Sequence, residues 1–84
     1  MSESYTVVLP SLGDDDDAVV KGVVSMWLAT IGQNLLEGDD LLEITTDKAA
    51  FVVPAPRSGV LAEQRVAEGD TIQVGQAIAV LTVG

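Results

Sequence analysis

The 84-residue chain copies itself at an offset of 37 positions. Under that offset Gly22-Val23 falls on Gly59-Val60, Gly32 on Gly69, and Gly38 on Gly75. Apolar residues obey the same shift: Val24 falls on Leu61, Leu35 on Ile72, Leu41 on Ile78 and Ile44 on Leu81. Self-similarity at a fixed period marks a supersecondary unit used more than once. A fold built on this pattern has two similar halves related by a pseudo-two-fold axis. Whatever lies only in the gap between the copies then calls for an explanation other than folding.

The repeated unit reads as β-structure. Its apolar segments are short, rich in Val, Ile and Thr, and punctuated by Gly, Pro or Asp. The pattern predicts strands over residues 5–10, 18–28, 41–46, 49–53, 60–66 and 77–83, with shorter ones at 34–36 and 71–73. A helical turn over 29–36 competes for the same residues, but Gly32 and Gly38 leave no room for a stable helix. Glycine recurs at matched turns, where the backbone needs positive φ or a close approach. The expected fold is all-β: two four-stranded antiparallel sheets packed as a sandwich or flattened barrel, which protects edges that a small β domain would otherwise expose.

Composition narrows the chemistry. The chain has no cysteine and no histidine, so disulfides, thiolate metal sites and the commonest general base are all missing. No catalytic residues and no metal site are predicted. Thirteen acidic residues against four basic ones give a net charge of −9. Such a surface repels phosphate backbones and favours basic protein partners, so nucleic acid is not an expected ligand. No apolar run approaches the ~20 residues that cross a bilayer, so no membrane association is expected. The start, Met1-Ser2-Glu3-Ser4, lacks the features of a signal peptide. The expected location is the bacterial cytoplasm, or the mitochondrial matrix if a presequence has been removed. Asp14, Asp15, Asp16 and Asp17 form a run between the first two predicted strands. Consecutive aspartates lack the alternating ligand spacing of a calcium loop. The run reads either as a solvated loop or as a surface for partner recognition.

Lys48 lies in the gap between the copies. Two predicted strands flank Asp47-Lys48, which is the length of a two-residue hairpin connection. Asp-Lys is not one of the glycine-containing pairs such turns prefer, so the pattern supports a hairpin without fixing its turn type. Thr46 and Ala49 are small and would leave a narrow crest. The only other lysine, Lys21, falls inside a predicted long strand. An exposed lysine on a sharp turn is a candidate for modification. Asp47 is an anion, and an anion beside an ammonium gives no help in removing its proton. Asp47 therefore reads as a residue that shapes the turn or is recognised, not as a catalytic helper.

Asp47-Lys48-Ala49, followed by Val53-Pro54-Ala55-Pro56 and Gly59-Val60, resembles the signature of lipoyl domains. The resemblance continues upstream through Leu9-Pro10-Ser11-Leu12-Gly13, Trp27-Leu28 and Glu37-Gly38-Asp39, and downstream through Glu68-Gly69-Asp70 and Val74-Gly75-Gln76. It covers residues 5–83 of the chain. It implies a single domain over residues 1–84, the N-terminal fragment of a dihydrolipoamide acyltransferase of a 2-oxo acid dehydrogenase complex such as the pyruvate complex. It implies lipoic acid in amide linkage to Lys48. It also implies a swinging-arm role, carrying acyl groups and reducing equivalents between a thiamine-diphosphate-dependent decarboxylase (E1), the acyltransferase core (E2) and dihydrolipoamide dehydrogenase (E3). A lipoate ligase or lipoyl transferase would load it, with Asp47 and Ala49 as the address it recognises. The domain would be a carrier and not itself an enzyme, and a monomer when isolated.

Some positions depart from the family pattern. Family members often carry glutamate at the position of Thr45, and usually glutamate at that of Asp14. The four-aspartate run and Phe51 are also unusual. These departures bear on which decarboxylase the domain serves. Two alternatives share the fold: a biotin carrier, whose lysine is typically flanked by methionine, and an unmodified lipoyl-like interaction module, which lacks the Asp-Lys-Ala tip. Trp27 reads as a residue at the core edge.

Overall fold

A computed structural model describes residues 3–11 and 21–84. Eight strands follow in order: β1 (Glu3–Val8), β2 (Lys21–Trp27), β3 (Asn34–Leu35), β4 (Asp40–Thr45), β5 (Ala50–Pro54), β6 (Gly59–Gln64), β7 (Thr71–Gln73) and β8 (Ala77–Val83). They form two four-stranded sheets with spatial orders β1-β8-β6-β3 and β5-β4-β2-β7. Every pairing is antiparallel. All eight predicted strands are present. The predicted 60–66 strand stops at Gln64, and the residues of the rejected helix form turns around β3. Residues 18–20 of the predicted second strand lie outside the described residues.

The two sheets repeat each other down to single hydrogen bonds. The 37-residue offset carries β2 onto β6, β3 onto β7 and β4 onto β8, while β5 and β1 take the remaining matched place. The Gly32 N–H donates to the Leu61 carbonyl at 2.7 Å, and the Gly69 N–H donates to the Val24 carbonyl at 2.8 Å. Trp27 Nε1 donates to the Val66 carbonyl at 3.0 Å, and its counterpart Gln64 donates through Nε2 to the Ala29 carbonyl at 3.2 Å. Trp27 is thus anchored at the core edge, as its sequence position predicts. Both sheets carry a bulge at matched points: one between Val24 and Met26 against β4, one between Leu61 and Glu63 against β8.

The core draws equally on both halves. Val24, Leu41 and Ile44 are buried from one copy, as are their counterparts Leu61, Ile78 and Leu81 from the other. Each fully buried aliphatic side chain contributes about 1.5–3 kcal/mol. The repeated apolar pattern is therefore the pattern of the core. Among the described residues no polar or charged side chain is buried. Glycine serves this packing in two ways. Gly32 and Gly69 adopt φ of +93° and +94°, a region that disfavours side chains. Gly22 and Gly59 admit close approach instead: a Cβ on Gly22 would lie 2.5 Å from Ile44 Cγ2, and one on Gly59 would lie 2.6 Å from the Thr82 carbonyl oxygen.

Candidate modification site

Lys48 sits at the crest of the hairpin joining β4 to β5. The sheet order makes β4 an interior strand, flanked by β5 and β2. Thr45 pairs with Ala50 on one side and with Val23 on the other. The tip therefore rises from a strand held on both sides. The strands end one residue earlier on each arm than the sequence suggests, at Thr45 and Ala50. Thr46 and Ala49 still face each other, with the Thr46 N–H donating to the Ala49 carbonyl at 2.9 Å.

What closes this turn is the Thr46 hydroxyl. Asp47 and Lys48 both keep negative φ, so the turn is neither of the primed types that suit the twist of a two-residue hairpin. Thr46 Oγ1 accepts hydrogen bonds from the Lys48 N–H at 3.2 Å and the Ala49 N–H at 3.1 Å, and it donates to the Ala49 carbonyl at 2.9 Å. Three contacts from one hydroxyl tie down the backbone that carries Lys48. Among the described residues the Asp47 carboxylate makes no hydrogen bond, so the turn is shaped by Thr46 and not by Asp47. Sequence reasoning treated Thr46 only as a small neighbour. The available signal was a hydroxyl residue just ahead of a turn, where Ser and Thr mimic a backbone turn.

Lys48, Asp47 and Ala49 are all exposed, and the small side chains at 46 and 49 leave the crest narrow. That shape suits covalent attachment of a long prosthetic arm, because the described residues that flank the lysine at the crest add little bulk. Behind the tip, Gly22 lets β2 close onto residues 44–46. The Ser25 and Thr45 hydroxyls hydrogen-bond to each other one strand back. Phe51 pairs with Ile44 and is partly buried against the core, so this unusual residue is a packing element of the hairpin arm. Lys21 begins β2 and is also exposed, but it stands on a paired strand and not on a turn.

Asp14, Asp15, Asp16 and Asp17 lie outside the described residues. Among the described residues, no group of three or more His, Cys, Asp or Glu side chains is arranged to hold a metal ion. Arg57 lies over the Tyr5 ring at 5.2 Å from its centroid, and Arg65 pairs with Glu63 at 3.4 Å. Both arginines have local structural partners.

The family model described as "Biotin-requiring enzyme", which covers biotinyl and lipoyl domains, matches residues 5–81. The chain belongs to the biotinyl/lipoyl domain family. Relatives of this domain include the dihydrolipoyllysine-residue acetyltransferase component of the pyruvate dehydrogenase complex of Corynebacterium glutamicum, 35% identical over 93% of this chain and 11% of that protein. The succinyltransferase component of the 2-oxoglutarate dehydrogenase complex of Staphylococcus saprophyticus is 37% identical over 93% of this chain and 18% of that protein. The chain thus spans less than a fifth of the length of either relative. The lipoyl domain of the 2-oxoglutarate dehydrogenase complex of Azotobacter vinelandii has the same fold, with a TM-score of 0.69 and 29% identity over 94% of this chain and 96% of that one. The domain is therefore of the kind found in acyltransferase components of 2-oxo acid dehydrogenase complexes.

Proposed function

We propose that this domain is a lipoyl carrier and that Lys48 is its attachment point. The observation that carries the reading is the placement of exposed Lys48 on a hairpin crest whose backbone is tied by Thr46. The Asp47 and Ala49 neighbours favour lipoyl over biotinyl attachment, and the acyltransferase relatives point the same way. An unmodified interaction module would not need a tip of this form. When bound, lipoic acid would supply a dithiolane that carries acyl groups and reducing equivalents.

The chain's own residues then have three tasks. Thr46 fixes the direction in which the lysine leaves the sheet. Asp47 and Ala49 form the address read by a lipoate ligase or lipoyl transferase. The faces behind the tip meet the partner enzymes, which in this reading are the decarboxylase, the acyltransferase core and dihydrolipoamide dehydrogenase. The domain contributes no catalytic group of its own. We place it as one domain of a longer acyltransferase, monomeric when isolated and acting in the cytoplasm.

Intact mass after incubation with lipoate ligase, lipoate and ATP tests the assignment. The 84-residue chain should gain one lipoyl group and Lys48→Arg none. Equal gain by the variant, or no gain by the wild type, defeats the proposal. A biotinyl adduct formed instead with biotin ligase, biotin and ATP would establish the alternative carrier.

A further inference from the structure

The pseudo-symmetry offers an internal control for every outward-facing residue. On the sheet that carries Lys48, the exposed residues of β2 and its end include Val23, Met26 and Leu28, with exposures of 41%, 46% and 38%. Val52 on β5 is 47% exposed and lies across β4 from Met26, with half-buried Glu43 between them in register. Adjacent strands run ~5 Å apart. Met26 and Val52 therefore form an apolar strip around the Glu43 carboxylate, with Leu28 following Met26, while the bonded Ser25 and Thr45 hydroxyls separate the strip from Val23.

Val23 corresponds to Val60, so that position is apolar in both sheets, but the other sheet answers differently at the remaining three. Met26 corresponds to Glu63 and Leu28 to Arg65, and that pair forms an exposed ion pair at 3.4 Å. Val52 corresponds to Thr6, and Glu43 to Val80, which is 5% exposed. The same backbone is thus built with charged and hydroxyl groups where the lysine-bearing sheet has apolar ones. Folding does not require Met26, Leu28 and Val52 to be apolar. Apolar side chains held in water, where the sister sheet has polar ones, mark a contact surface.

We propose that this strip is the docking face for the 2-oxo acid decarboxylase, which meets it through an apolar ridge flanked by a basic side chain that pairs with Glu43. This rests on the lipoyl-carrier reading. Two observations favour such an occupant over a second copy of this chain. The domain carries a net charge of −9, so two copies repel each other while a basic surface is attracted. The strip also lies close behind the tip: Glu43 and Val52 stand two residues back from Thr45 and Ala50, the last pair of the hairpin arms. A protein whose cleft receives Lys48 therefore lies over the strip as well.

The test transplants the sister sheet's residues. The 84-residue chain with Met26→Glu, Leu28→Arg and Val52→Thr is lipoylated, then offered to purified decarboxylase components of the pyruvate and 2-oxoglutarate complexes with their 2-oxo acids. The kcat/KM for reductive acylation should fall at least tenfold, chiefly through KM, while the rate of lipoylation stays within twofold of wild type. The mirror variant Glu63→Met with Arg65→Leu should change neither rate. Glu43→Gln, which keeps the shape, should lower kcat/KM about threefold at low salt and little at high salt. This second variant carries the test if the triple variant fails to fold. An unchanged kcat/KM overturns the proposal. So does an equal fall in the lipoylation rate, which would assign the face to the attaching enzyme. A concentration-dependent dimer abolished by the triple variant would assign it to a second copy and overturn the proposal too. Absence of any lipoyl mass on the wild type would defeat the carrier reading itself, a failure visible before the decarboxylase is added.

Discussion

The hairpin end of the β5-β4-β2-β7 sheet and the β1–β8 end of the other sheet share one backbone plan, yet they finish differently. The offset that carries Thr45 onto Thr82 carries Thr46 onto Val83. At Val83 the chain faces Glu3 of β1 through ordinary strand pairing. At Thr46 a hydroxyl gathers two N–H groups and a carbonyl and turns the chain back on itself. The duplicated scaffold accounts for the strands leading to each end. The hydroxyl lock at Thr46 thus has no counterpart at Val83, whose side chain carries no hydroxyl. Duplication therefore separates what the fold needs from what the function needs, since features shared by both halves belong to the first class.

The largest expected effect bears on the shared part. Gly59→Ala places a Cβ against a backbone carbonyl, which cannot rotate away, whereas Gly22→Ala meets first the γ-methyl branch of the buried Ile44 side chain. Overpacking of this kind costs about 1–3 kcal/mol. Gly59→Ala should sit at or above the top of that range and Gly22→Ala near its middle, as measured by urea unfolding. Equal costs would mean that the strands, and not the side chains, absorb the clash.

Next comes the lock. Thr46→Val keeps the shape and removes the hydroxyl, and it should cost about 1–2 kcal/mol, because each net hydrogen bond contributes about 0.5–1.5 kcal/mol and the turn is exposed. The loss should be local. Amide exchange at Lys48 and Ala49 should accelerate, and lipoylation should slow several-fold. Unchanged exchange at those two amides would show that strand pairing alone holds the tip.

A smaller effect tests the equivalence of the halves. Gly32→Ala and Gly69→Ala meet no atom within 4 Å, so each should cost only the conformational term, about 1 kcal/mol. The two costs should agree within about 0.5 kcal/mol by urea unfolding. A clear difference would break the symmetry at the level of turn energetics. The smallest effect belongs to the exposed ion pair on the sister sheet. Glu63→Gln should change stability by less than about 0.5 kcal/mol, because both partners are half in water. Thermal unfolding at low and high salt would check this.

Much of the fold was legible because the two copies corroborate each other. Gly32 and Gly69 each break an apolar pattern at the same point, and both adopt positive φ. Matched pairs such as Leu41 and Ile78 identify the core, since both positions are fully buried. Lys48 was visible as a lysine on a short connection between strands, together with the Asp47 and Ala49 that flank it. The role of Thr46 was less accessible, because a small hydroxyl residue next to a turn either packs or bonds, and only the geometry distinguishes the two.

By itself, the sequence determined the all-β plan, the duplication, the turn glycines and the place of Lys48 on a short connection between strands. All of these depend on residue type and spacing along the chain. Tertiary structure decided which outward residues become neighbours. Strict alternation along β2 would put Met26 on the same face as buried Val24. The bulge between them resets the phase and turns Met26 outward, beside Glu43 and in line with Val52. A one-residue irregularity moves side chains from one face of a sheet to the other, and only the paired strands reveal where it falls.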